Sequence, residues 1–258
     1  MADLSIEIIS IDFFRVFLVL VMLSYSSYKD WKTREINDLI WILFGSIGII
    51  LDIYALVMGT MNFTMLLFSV GFSVIFAALI GYLGLFGEAD LLALVAITIL
   101  SPIPPSIGFD TLGITPLLMP LSVLSNSVFI GACFSLIMLL LNLLHWGEGL
   151  FTGYKHISSW KKVLLMLTGR KVDLSKIRGP PFQYPLEKID SEGKISIILR
   201  PDFMADTEAV STLKKLASAG RQKGWVSYTL PFLVFFLVGY ITSVIFGDII
   251  LSVIIFVL

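Results

Sequence analysis

Long apolar runs separated by short polar breaks dominate the chain. Stretches with few or no charges cover 12–28, 39–57, 63–86, 119–144 and 228–246, each near the roughly 20 apolar residues that an α-helix needs to cross a hydrocarbon core. They predict five transmembrane helices. A shorter apolar segment, Leu91–Leu100, lies between Asp90 and Ser101-Pro-Ile-Pro-Pro105. Ten to twelve helical residues rise only about 15–18 Å, roughly half of that core. The segment therefore predicts a short fourth span whose first residues, Asp90 among them, lie at or below the membrane surface. Gly247-Asp248 interrupts the final apolar run, and the stretch from there to Leu258 is too short to cross again.

Residues 147–226 break the pattern. Ser158-Ser159 precedes an amphipathic helix through Trp160-Lys-Lys-Val-Leu-Leu-Met-Leu167 that stops at Gly169, Lys194–Leu199 reads as a strand, and a second helix covers about Asp206 to Ala219 with Gly220 as its stop. Gly179-Pro180-Pro181 marks an irregular link. The expected architecture is an all-α polytopic membrane protein of six transmembrane helices, with a small α+β cytoplasmic domain between the fifth and sixth. Its parts are a membrane domain over 1–146, a cytoplasmic domain over 147–226, and a last span with tail over 227–258.

Charge orients this arrangement. Three of the 18 Lys and Arg residues are Lys29, Lys32 and Arg34, fourteen fall between Lys155 and Lys223, and the other is Arg15. With six spans both basic segments lie on one side, which the positive-inside rule makes the cytoplasm, and both termini lie outside. Omitting the short fourth span would put the basic segments on opposite faces. A composition of 57% hydrophobic and 14% charged residues excludes an ordinary soluble domain, in which about a quarter would be charged. The net charge of -1 gives no reason to expect nucleic acid as a partner. Membrane lipid is the expected surroundings. The single cysteine, Cys133, sits in an apolar run as a small hydrophobe and supplies neither disulfide nor metal site. His145 and Glu148 make two potential ligands without a third, so no metal site is expected.

Two aspartates stand out. Asp30, in Tyr28-Lys-Asp-Trp-Lys-Thr-Arg-Glu-Ile-Asn37, ends the first expected span, and Asp90, in Gly87-Glu-Ala-Asp90, starts the fourth. Both ends face the cytoplasm in the six-span arrangement. Ionisable groups at membrane depth are costly to desolvate and mark functional sites. Two carboxylates brought together there cannot both ionise cheaply, so one keeps a proton and the other acts as base. That is the chemistry of an aspartic protease, which requires no metal or cofactor. The helix dipole alone would make Asp90 the anion and Asp30 the proton carrier. Each also has a plainer reading, Asp90 as a helix cap and Asp30 as a solvated loop charge. Glu88 is either a supporting residue or an exposed charge, and Asn37 and Asp38 suit the start of the second helix. Asp52, Asp110 and Asp248 fall toward the outside.

With both aspartates in view, the chain resembles the GxGD-type membrane aspartyl proteases, within them the archaeal preflagellin peptidases and type IV prepilin peptidases. Asp30, Arg34, Ile36 and Asn37 match that family's Asp-(x)3-Arg-x-Ile-x-Asn tendency, and Gly87-Glu88-Ala89-Asp90 matches its second motif. Ala89 departs from the family's glycine and narrows how closely backbone can approach substrate. The resemblance covers the spans and nothing in 147–226. It implies catalytic roles for Asp30 and Asp90, with Gly87, Glu88, Ala89, Arg34 and Asn37 as motif or supporting residues. It also implies cleavage, at the cytoplasmic face, of a short basic leader that precedes the apolar helix of flagellin-type or pilin-type precursors. The cysteine-rich domain associated with many bacterial prepilin peptidases is missing, so cleavage without methylation is implied. Two other classes stay open: a transporter or channel using Asp30, Glu88 and Asp90 as an ion path, and an assembly subunit whose carboxylates only cap helices.

Overall fold

The computed structural model describes residues 2–107, 111–145, 149–152, 154, 157–189, 195–199 and 206–257, with the side chains of 2–7 excepted. Asp110, Glu148 and Lys194, named above, lie outside them. The chain divides into two compact units, residues 1–131 with 231–258, and residues 132–230.

The first unit is helical: α1 (Ala2–Thr33), α2 (Leu39–Val57), α3 (Phe63–Tyr82), α4 (Glu88–Leu100), the first half of α5 (Met119–Leu144), α8 (Phe232–Phe246) and α9 (Ile249–Val257). Among the described residues, four helices are long and apolar enough to cross a membrane: Ile8–Thr33 of α1, α2, α3 and α5. The pair α8 and α9, bent by 51°, makes a fifth if it counts as one span. Gly247 at that bend has φ of 70°. Asn126 fills the gap left in the hydrogen-bond ladder, donating to Gly247 O at 2.9 Å and accepting from the Ile249 N–H at 3.1 Å.

α4 is the centre of this unit. It packs against α1, α2, α3 and α8, and Ala93, Leu94, Ala96, Ile97, Thr98 and Leu100 are all buried. A helix apolar on every side needs neighbours on every side, and here they are helices. Small residues permit the approach: a Cβ on Gly48 of α2 would stand 3.1 Å from the backbone of Ile99. At 13 residues α4 rises only about 20 Å.

Three boundaries differ from those expected. The third helix ends at Tyr82, not at residue 86, because Gly84 turns the chain with φ of 62°. The last helix starts at Phe232, not at 228: Tyr228 ends a strand, and Pro231 holds extended backbone at the helix N-cap. The first helix extends past the expected 12–28 at both ends.

Among its described residues the second unit holds the latter half of α5, α6 (Ser159–Thr168), α7 (Asp206–Ser218) and five short strands: β1 (Gly169–Asp173), β2 (Gln183–Pro185), β3 (Glu187–Ile189), β4 (Ile195–Ile197) and β5 (Lys223–Tyr228). β1, β5 and β2 form an antiparallel sheet with β5 in the middle, and β3 pairs with β4. Its core is Leu150, Leu165, Met166, Leu186 and Trp225. Glu187 is wholly buried in that core, and its Oε1 carries its hydrogen bonds. It accepts from the Trp225 N–H at 2.6 Å and from the Tyr154 hydroxyl, with Arg221 3.6 Å away. Burial, then the Glu187 charge, pushes ionisation of the Tyr154 phenol well above its ordinary range, so the phenol stays a donor.

Candidate active site

Asp30 lies in the last turn of α1, half-buried. α1 stops three residues later, and Arg34 takes φ of 60°, a left-handed conformation that costs a residue with a Cβ about 1–2 kcal/mol. The turn brings the guanidinium back over the helix end, where Nη1 donates to Asp30 Oδ1 at 3.2 Å. A second donor reaches Asp30 from the N-terminus of α8, the Leu233 backbone N–H. Ser27, one turn earlier on α1, donates to Leu233 O at 2.8 Å. Leu233 is thus held by α1 through both of its backbone polar groups. The first amides of a helix have no partner within it, and Asp30 satisfies one of them.

Asp90 is the third residue of α4. Its Oδ2 accepts from the Gly87 N–H at 3.2 Å, which closes the first turn and fixes the carboxyl at that end. Asp90 stands within electrostatic range of both Asp30 and Arg34. The fold therefore brings the two aspartates to one site, with the Arg34 guanidinium beside them. An aromatic cluster adjoins it: Phe86, next to Gly87, packs on Phe232 with ring centroids 4.5 Å apart, and Phe236 lies 5.1 Å from Phe232. It joins the loop before α4 to the start of α8.

The other motif residues are placed differently. Gly87 is the N-cap of α4 with φ of -73°, a conformation open to any residue. Ala89 faces inward and packs against the helical core. Glu88 is exposed. Asn37 accepts from the Leu39 N–H at 2.9 Å and so caps α2, whereas Asp38 makes no side-chain cap bond. His145 bonds Leu141 O in its own helix, and no metal-binding cluster of His, Cys, Asp or Glu occurs among the described residues.

Sequence reading missed a second polar centre. Arg15 and Asp52 are both buried and form an ion pair at 2.8 Å, while Arg15 also donates to Leu100 O at 2.9 Å. Asp52 is therefore the partner of the isolated arginine. Arg15 closes the C-terminal end of α4, opposite the end that carries Asp90. Nearby, Asp12 accepts from the Ser106 N–H at 2.7 Å. Pro231 was the available sign for Leu233, because a helix opening after proline exposes its next amides.

Residues 161–249 match the family model described as Archaeal Peptidase A24 C-terminus Type II. The chain is archaeal preflagellin peptidase-like. The matched stretch runs from α6 through α8 to the start of α9, and it includes Leu233 but neither aspartate. This peptidase-like chain thus has the family signal in the very segment, 147–226, in which residue patterns showed no resemblance. At the level of the family it names, the match supports a peptidase of the prepilin and preflagellin type, a family that acts on precursor proteins. No curated protein matches the chain.

Proposed function

We propose that the protein is an aspartic endopeptidase of the membrane that removes the short basic leader from preflagellin and type IV pilin-like precursors at the cytoplasmic face. The observation that carries this is the meeting of Asp30 and Asp90, sixty residues apart in sequence, beside the Arg34 guanidinium. Two carboxylates in mutual range share one proton more readily than they carry two charges. Asp30 has the guanidinium and the Leu233 amide as donors; Asp90 has the Gly87 amide. These donors favour Asp30 as the anion and Asp90 as the proton carrier, the reverse of what the helix dipole alone suggests.

In that division Asp30 takes a proton from water as its oxygen attacks the scissile carbonyl carbon. Asp90 donates to the carbonyl oxygen in the tetrahedral intermediate. The C–N bond then breaks, the leaving amine takes the proton that Asp30 removed from water, and Asp90 keeps or recovers its own as the carbonyl re-forms. Arg34 positions Asp30, Gly87 caps the helix that carries Asp90, Ala89 packs that helix start against the core, and Asn37 caps α2, on which α4 packs.

Counting α4 as a short span and α8 with α9 as one gives six, with the basic segments 29–34 and 155–223 on the cytoplasmic side and both termini outside. Asp90 then lies below the membrane surface. There a precursor whose apolar helix stays in the bilayer presents its leader junction. One observation favours the ion-path reading, the buried Arg15–Asp52 pair. The pair is closed on itself, with Arg15 also occupied by Leu100 O, and a closed pair holds a helix contact better than it passes an ion.

The test is cleavage of a leader-bearing precursor in membranes by wild type, Asp30→Asn and Asp90→Asn. Removal of a general acid or base costs about 10²–10⁴-fold in rate, and each variant is expected to lose at least that. Wild type should show a bell-shaped pH–rate profile whose two limbs belong to the pair. A variant cleaving at the wild-type rate would remove the basis of the assignment.

A further inference from the structure

α6 presents two apolar faces. At 100° per residue, Leu165 and Met166 point one way and are buried in the core of the second unit. Trp160, Val163, Leu164 and Leu167 point the other way, and the first three are 58%, 44% and 37% exposed. Beyond α5, the only other exposed large apolar side chains described in this unit are Val210 and Leu230. The uncovered apolar surface is therefore concentrated on one side of one ten-residue helix.

Two observations say what covers it. The first is position. Asn142, buried near the end of α5, donates both amide hydrogens to the end of α6, to Met166 O and Gly169 O at 2.8 Å each. α5 is a candidate membrane span whose exposed apolar side chains continue through Leu140, Leu141 and Leu143 to its last residue, Leu144. The C-terminal end of α6 is thus tied to the level at which a spanning helix leaves the bilayer. The second is charge. Residues 132–230 carry fourteen Lys and Arg against eight Asp and Glu. Lys161 borders the apolar face with its ammonium 5.7 Å from the Trp160 ring, and Arg170, Lys171, Lys176 and Lys223, with one acid, Asp173, line a cavity of 430 Å³ that Asn142 also lines.

We propose that α6 lies in the plane of the bilayer surface, with Trp160, Val163, Leu164 and Leu167 sunk among the lipids and the surrounding cations against anionic headgroups. A short helix that leaves an apolar face uncovered, with a tryptophan and flanking lysines, binds an interface in this way. Its attachment to α5 makes the contact intramolecular with an existing anchor, so a small apolar face is enough to hold it there.

The test uses full-length protein with Cys133→Ser, a nitroxide label at Val163→Cys or at the exposed α7 position Thr207→Cys, and vesicles with and without phosphatidylglycerol. Collision with oxygen reports lipid, and collision with a water-soluble nickel chelate reports solvent. The oxygen-to-nickel ratio is expected to be several-fold higher at 163 than at 207. It should rise further with phosphatidylglycerol and fall toward the value at 207 when Lys161→Glu and Lys162→Glu are added. Equal ratios at the two positions would overturn the proposal. So would a label at 163 shielded from both colliders, or spin–spin broadening there, because these mean a protein partner or a second copy on that face. No step of this readout involves cleavage, so its failure and that of the peptidase assignment are separable.

Discussion

Arg15 shows how much rests on a single buried charge. It neutralises Asp52 on α2 and holds the last carbonyl of α4 from its place on α1. Removing one partner of such a pair leaves the other charged and dry, at about 3–5 kcal/mol. Arg15→Leu should therefore lower stability by that order, measured by unfolding in detergent. Arg15→Leu combined with Asp52→Leu should recover most of the loss, because apolar replacement of a whole buried pair is often neutral. A double variant no better than the single one would show that the bond to Leu100 O, and not the ion pair, carries the stability. Asp30 and Asp90 were legible from sequence because each interrupts an apolar run. Arg15 and Asp52 were separately visible, but nothing along the chain reports that two helices place them face to face.

Among elements, α4 depends on how closely α2 approaches it. Gly45 and Gly48 occupy neighbouring turns of α2 with different surroundings: a Cβ at 45 meets nothing within 4 Å, and one at 48 meets the Ile99 side chain at 2.9 Å and its backbone at 3.1 Å. Alanine favours a helix interior over glycine by about 1 kcal/mol, whereas overpacking costs about 1–3 kcal/mol. Gly45→Ala is expected to be neutral or stabilising, and Gly48→Ala to destabilise and to slow cleavage by moving α4. Thermal inactivation of the two variants side by side reads the difference. Helix existence was easy to anticipate from apolar runs, but strand pairing was not. β1 reads Gly-Arg-Lys-Val-Asp, with a single apolar residue, and it is a strand because β5 pairs with it along its whole length. The same β5 ends at Tyr228, inside what looked like the start of the last span.

At the scale of the whole molecule, the fold class was legible from composition and run length, while the number of crossings depends on how α4 and the bent pair α8–α9 are counted. The six-span arrangement puts the loop after α1 and the second unit on one face of the membrane. In a Cys133→Ser background, Glu35→Cys and Thr207→Cys should both react with a membrane-impermeant maleimide from the cytoplasmic side, and Gly59→Cys should react only from the other. Labelling of Glu35→Cys and Thr207→Cys from opposite sides would reduce the crossings between them by one and take α4 out of the count. The site and the family match report on different parts of the chain. The aspartates sit on α1 and α4, and the matched segment covers 161–249. The two meet at Leu233, whose amide faces Asp30. Arg34 adds a constraint of length. Its left-handed backbone ends α1 at a fixed distance from Asp30, and one inserted residue between them would swing the guanidinium about 100° around the axis. The four-residue step from Asp30 to Arg34 is therefore a ruler: side chains inside it can be exchanged, but its count cannot change without taking the guanidinium off that carboxylate.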